Sequence, residues 1–260
     1  MNKLSRFLDR NSVSGNGRLP LIHSTASHNI ENIVDSHNIK ASLCDVYTED
    51  HLNYFFVGRP AYKGYIGSES AQYWELPCCF IFDFDIVKDP KRIFPFDSGA
   101  FANKKYPHYI NCLKPEQFEV SAVDGAVSKL IGAFFGDTRS YFKMRSKDKI
   151  DFEREFSLTA FDAEIKALHT LSKHESSKGF DDRRFTIEMQ KEGDLDLKVH
   201  RPLAVIAPAI YFDNPEFRNH VENVWCAQPI GYRTHQLSIA AYYSEIYSLV
   251  ECYLEEMGIL

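Results

Sequence analysis

Four short apolar runs constrain the fold most: "LPLIHS" from Leu19, "NYFFVG" from Asn53, "CCFIFDF" from Cys78 and "PLAVIAP" from Pro202. Each is bounded by Gly, Pro or a polar turn, which reads as a strand. Helical spacing lies between them. Ile30, Ile33 and Val34 follow the first run, with Ser27 or Asn29 as the expected N-cap. Apolar residues from Glu116 to Phe135 recur at three and four and stop at Gly136, which predicts the best-marked helix of the chain there. Further helices are expected over about Phe161 to Lys173 and at the C-terminus, where Ile246, Leu249, Val250, Tyr253 and Leu254 share a face. Strands separated by helices predict an α+β class. Residues 1–18, with the Gly- and Ser-rich "NSVSGNGR", read as a flexible lead-in in which 1–10 could form a loosely docked helix, and 19–260 as one domain.

Composition excludes several classes. In 260 residues, 44% hydrophobic and 25% charged is ordinary for a globular chain. The apolar stretch from Tyr73 to Phe82, broken by Glu75, is far too short for a membrane span. The charged N-terminus does not read as a secretion signal, so a cytoplasmic protein without membrane contact is expected. Six cysteines show no CxxC pair and no zinc spacing. A net charge of −6 argues against coating nucleic acid by bulk electrostatics.

Three motifs could carry chemistry. His23, Ser24, Thr25 and Asn29 crowd polarity onto the end of the first strand, which a helix cap and a structural histidine would also explain. "NYFFVGRPAYKGY" joins an aromatic strand to Gly58 and then Arg59 before a proline, a combination that can stack a flat ring and hold an anion. "DDRRFTIEMQ" alternates, with Phe185, Ile187 and Met189 on one face and Arg184, Thr186, Glu188 and Gln190 on the other. That polar face suits either solvent or a carboxylate held over a cleft.

In this order the motifs resemble the ADP-ribosyltransferase fold, and within it the DarT-type toxins that ADP-ribosylate nucleic acid. Those families read His-x-Thr-x-x-x-Asn-apolar at the first strand, matched here by His23, Thr25, Asn29 and Ile30. An aromatic strand then leads to an arginine before a proline, similar to "YFFVGRPAY", and a later strand carries the glutamate, similar to "RRFTIEMQ". The resemblance covers residues 19–66 and 180–208. The serine-proline-methionine pattern of DarT and its alanine-glutamate context are missing, so the chain is more similar to relatives in the wider superfamily, near phage-defence toxins that modify mRNA.

The resemblance implies a split β-sheet core with flanking helices, NAD+ as co-substrate, no metal, and transfer of ADP-ribose to RNA or DNA. It gives His23 to a ribose hydroxyl and Ser24 with Thr25 to the nicotinamide end, and Asn29 shapes the turn. Tyr54, Phe55 or Tyr62 would stack on the ring, Arg59 would meet phosphate or the acceptor, and Glu188 would bind the 2′-hydroxyl and stabilise the ribosyl cation. An antitoxin protein is a further partner for a toxin.

The nucleic acid would be met by Arg139, Lys143 and Arg145, interleaved with Tyr141 and Phe142, and by the polar stretch Phe94 to Tyr109 with Asp97 and Ser98. Protein or small-molecule acceptors and a non-catalytic binding module stay open as alternatives. So does a Mg2+-dependent nuclease using Asp83 and Asp85, which the alternation of "FIFDFD" places on one strand face. No Gly-x-Gly-x-x-Gly or Walker A loop offers another nucleotide site.

Overall fold

The computed structural model describes residues 1–11, 14–15, 18–61, 72–173, 185–235 and 239–260, the side chains of 239 and 240 excepted. The short apolar runs become strands. In chain order these are β1 (Leu21–Ala26), β2 (Asn38–Ile39), β3 (Ser42–Leu43), β4 (His51–Val57), β5 (Pro77–Phe82), β6 (Arg92–Phe94), β7 (Glu188–Glu192), β8 (Leu195–Asp196), β9 (Ala204–Pro208) and β10 (Gln228–Tyr232). Among the described residues, eight of them form one sheet in the order β10-β9-β5-β1-β4-β7-β6, with β3 on β4; β2 and β8 pair separately. The sheet is mixed, because β9 and β10 run parallel while the other pairings are antiparallel. Every residue of β5 and β9 is buried, which is why these strands read as continuous apolar runs rather than alternations.

The helices flank this sheet: α1 (Lys3–Arg10), α2 (Ile30–Ser36), α3 (Ser98–Ala102), α4 (His108–Asn111), α5 (Ala126–Phe134), α6 (Thr138–Phe142), α7 (Lys149–Glu155), α8 (Ala163–Ser172), α9 (Ala209–Phe212), α10 (Pro215–Asn219) and α11 (Ile239–Glu256). Phe134 joins them to the sheet, its ring 5.2 Å from Phe152 of α7 and 5.1 Å from Phe185 before β7. No helix among the described residues is long and apolar enough to cross a membrane.

Three expectations change. The start of the chain is docked: Leu4, Phe7 and Leu8 of α1 are buried, and Phe7 meets Phe156 edge-on at 5.0 Å. The expected long helix is shortened, since α5 begins only at Ala126. Upstream, the Val120 N–H donates to the Ile93 carbonyl of β6 at 3.0 Å, and Gly125 turns left-handed at φ 65°, so turns rather than a helix bury Phe118, Val120 and Val123. Neither expected cap binds the start of α2. The Ser27 hydroxyl donates to the Leu76 carbonyl, and Asn29 turns back to Thr25.

Gly58 behaves as its position before Arg59 implied. It has φ 66°, its N–H donates to the Pro20 carbonyl at 2.7 Å, and a Cβ there would lie 2.7 Å from Leu19 Cδ1. Gly58→Ala should therefore cost on the order of 2–4 kcal/mol from left-handed strain and overpacking combined. A thermal melt of the variant checks this.

Candidate functional site

The site begins where the sheet comes apart. β1 pairs with β5 along its whole length, Leu21↔Phe82 to Ala26↔Pro77, but with β4 only at Leu21↔Val57 and Ile22↔Phe56. From His23 onward β1 and β4 diverge, and the His23 ring spans the parting, with Nδ1 3.0 Å from the Tyr54 carbonyl oxygen. A carbonyl can only accept, so Nδ1 carries the proton and Nε2 keeps its lone pair. Burial lowers the His23 pKa to about 4, against the smaller raising effect of the Tyr54 bond. His23 is thus a neutral hydrogen-bond acceptor at physiological pH.

The next residues are held as firmly. Thr25 Oγ1 accepts from Asn29 Nδ2 at 2.9 Å, one helical turn on, and Ser24 Oγ lies 3.5 Å from Cys79 Sγ of β5.

Across the opening, Glu188 and Gln190 alternate on β7 as predicted, Thr186 precedes the strand, Arg184 lies outside the described residues, and the side chains of Thr186, Glu188 and Gln190 are buried. Glu188 is 1% exposed. It opens β7 between Phe56 of β4 and Phe94 of β6. Its Oε1 accepts from Ser98 Oγ at 2.7 Å and Gln190 Nε2 at 2.8 Å, and its Oε2 accepts from the Ser98 N–H at 3.1 Å. Ser98 is placed by the start of α3, where Asp97 Oδ1 accepts from the Ala100 N–H at 2.7 Å. Gln190 is oriented in turn by Arg92, which donates to Gln190 Oε1 at 3.1 Å and to Asp50 at 2.7 Å. The Arg92 guanidinium lies 3.6 Å over the Tyr47 ring.

Burial first, and then the charge of Asp97, raise the Glu188 pKa against the lowering effect of the bonds from Gln190 and Ser98, leaving it at about 8. The carboxyl is therefore mostly protonated at neutral pH and is poised to ionise when positive charge approaches it.

His23, Ser24, Thr25, Asn29, Tyr54 and Glu188 line a single cavity of about 1290 Å³. The polar stretch from Phe94 contributes Asp97, Gly99 and Asn103 to its wall, and Phe56 lies beside Tyr54. Two assigned residues are elsewhere. Phe55 points into the core, its ring 5.9 Å from Phe82. Arg59 is 0% exposed and does not line the cavity; its guanidinium donates to the Phe185 carbonyl and to Thr186 Oγ1, and lies 4.5 Å over the Tyr141 ring. Tyr62 lies outside the described residues.

The basic stretch is also built differently from its expected role. Tyr141 and Phe142 are 0% exposed, so neither ring can stack on a base. Tyr141 OH instead donates to the Val57 carbonyl and accepts from the Ile187 N–H, both at 3.0 Å, tying β4 to the approach of β7. Lys143 pairs with Glu251, and Arg139 lies 4.0 Å from Glu255 of α11, while Arg145 is exposed.

Asp83 and Asp85 follow the end of β5 rather than sharing its face. Asp83 caps a 3₁₀ turn by accepting from the Asp85 N–H at 2.8 Å, and exposed Asp85 pairs with Arg18. Among the described residues, no three His, Cys, Asp or Glu side chains are grouped to hold a metal ion.

Sequence reading missed the support behind Glu188. Asp50 and Arg92 were not singled out, and Ser98 was named only within the polar stretch from Phe94; all three are remote from Glu188 along the chain, and no spacing connects them. No family model matches the chain, and no curated protein matches it.

Proposed function

We propose that the chain is an NAD+-dependent mono-ADP-ribosyltransferase that modifies RNA or DNA, as a toxin or phage-defence effector. One observation carries this reading: a sheet parted between β1 and β4, with neutral His23 and the Thr25 hydroxyl on one wall and a buried, triply hydrogen-bonded Glu188 on the other. The cavity exceeds the roughly 300–1,000 Å³ usual for small ligands, leaving room for a dinucleotide and part of an acceptor.

His23 Nε2 accepts from a ribose hydroxyl. Ser24 and Thr25 hold the nicotinamide end, and Tyr54 flanks it. Lys40, held by Asp194 at 2.7 Å, is the one Lys or Arg of the cavity wall among the described residues, and it faces the pyrophosphate.

In the reaction the glycosidic bond from ribose C1′ to the pyridinium nitrogen breaks, and nicotinamide leaves with the electron pair. The acceptor atom then bonds to C1′ and passes its proton to the Glu188 carboxylate, which releases it to solvent. The developing ribosyl cation resembles that of glycoside cleavage, and ionised Glu188 stabilises it and receives a hydrogen bond from the 2′-hydroxyl.

The raised Glu188 pKa predicts activity that increases with pH toward a plateau above about 8. Asp97→Asn removes the second cause of that rise and keeps a side-chain oxygen for the Ala100 N–H. The variant should reach its plateau at lower pH than wild type, as measured by NAD+-dependent transfer across pH 5.5 to 9 (roughly the range in which such groups titrate).

The deciding experiment expresses wild type and Glu188→Gln in bacteria and searches digested nucleic acid by mass spectrometry for nucleosides carrying ADP-ribose. Adducts with wild type alone support the reading. Label from NAD+ accumulating on protein would redirect it to a protein acceptor, and no label on any acceptor would reject transfer.

A further inference from the structure

We infer that Tyr73 and Trp74 form a stacking platform that takes the acceptor nucleobase at the mouth of the cavity. The inference rests on the transferase reading and adds a subsite to it. The two rings meet edge-on, with centroids 5.0 Å apart, and are 49% and 45% exposed. Half-exposed rings on a surface turn give up favourable burial unless something covers them.

The turn is anchored to the segment that carries the site. Its Trp74 carbonyl accepts from the His28 N–H at 2.8 Å, and its Leu76 carbonyl accepts from both the N–H and the hydroxyl of Ser27, each at 2.8 Å. The Gln72 N–H donates to Glu75 Oε2, and the Glu75 N–H returns to the Gln72 carbonyl, closing the turn on itself. His28 and Glu75 line the cavity and Tyr73 and Trp74 do not, so the two exposed rings sit beside its wall, next to these two residues.

The chemistry of the entrance selects the occupant. Glu75, next to Trp74 in the turn, lines the cavity, and its carboxylate repels a nucleic-acid backbone at that point, which admits a base edge and leaves the backbone outside. The Glu75 carboxylate suits the N–H groups of that edge, as acidic side chains do when they accept from exocyclic amines. Stacking on an aromatic face is tolerant of base identity and is a recurrent way of holding single strands. With Tyr141 and Phe142 buried, the base-stacking role that their sequence context suggested passes to this pair.

The test uses the full chain and fluorescein-labelled short single-stranded RNA and DNA, with a labelled peptide of mixed sequence as the protein arm. Fluorescence anisotropy should show oligonucleotide binding that Trp74→Ala weakens about tenfold or more and Trp74→Phe largely restores. Transfer kinetics should show the loss chiefly in KM for the oligonucleotide. The chain has two tryptophans and Trp225 is 0% exposed, so oligonucleotide should also quench the Trp74 emission of wild type.

Wild-type affinity in a folded Trp74→Ala protein overturns the platform, as does preference for the peptide. If that variant modifies nucleic acid at the wild-type KM, the platform fails and the transferase reading stands. If wild type binds oligonucleotide through Trp74 yet consumes no NAD+, the transferase reading fails and the platform stands.

Discussion

Glu188→Gln is expected, on the proposed transferase reading, to lower ADP-ribosyl transfer by about 10²- to 10³-fold or more, the loss typical of removing a group that meets charge in the transition state. The protein should remain folded, because glutamine fills the same space and its one oxygen keeps the bonds from Ser98 Oγ and Gln190, at the loss of the bond from the Ser98 N–H. It should also change how stability depends on pH. The folded pKa of Glu188 is raised to about 8, well above the ordinary value of 4.5 that holds in the unfolded chain. Between those two pH values the unfolded chain has released the proton and the folded one keeps it, so stability falls as pH rises and levels off above about 8. Each pH unit of separation corresponds to about 1.4 kcal/mol, so the fall is on the order of a few kcal/mol. Glutamine does not titrate. Melting curves from pH 5 to 9 (roughly spanning the two values) should be flatter for the variant, which should be the more stable protein at the alkaline end. A parallel decline in both proteins would assign the pH dependence to other groups.

Arg59→Ala is expected to act on stability, at about 3–5 kcal/mol, through lost charge-assisted bonds and a large cavity. The arginine side chain is fully buried, and it ties the end of β4 to the Phe185 carbonyl and Thr186 ahead of β7, under the Tyr141 ring. Removing it loosens the approach to Glu188 without touching the cavity wall. Denaturant unfolding should show a lower midpoint with an unchanged slope. Arg59→Lys should recover part of the loss, since the ammonium keeps charge but not the planar fork that reaches both acceptors. A fully stable Arg59→Ala protein with a raised KM for NAD+ would return the residue to the substrate.

These two residues mark what a sequence can show. Glu188 was legible because a period of two fixes which side chains share a face, and the polar face between apolar neighbours is what the sheet buries at the site. Arg59 was misplaced for a related reason. An arginine before a proline looks the same whether its guanidinium meets an anion or a ring and a main-chain carbonyl. Strand positions were read well, since β1, β4, β5 and β9 are short, apolar and punctuated. The start of α5 was not, because the Val120 bond to Ile93 competes with helix formation through a residue far away in sequence. The Asp50, Arg92, Gln190 and Ser98 bonds behind Glu188 join four separate stretches and exist only once β4, β6 and β7 lie side by side.

The parted sheet also bears on when the cavity can exist during synthesis. One wall comes from residues near the start of the chain, but β4 obtains its partner β7 from residues 188–192, and β5 waits for β9 at residues 204–208. Ribosomes add about 5–20 residues per second, and pairings this distant in sequence form late. A nascent chain that has emerged through α8 carries His23, Thr25 and Asn29 but has no Glu188 to face them. A product that ends before β7 therefore lacks the wall that faces His23, and the sheet around the cavity is complete only once residues 188–208 have joined it.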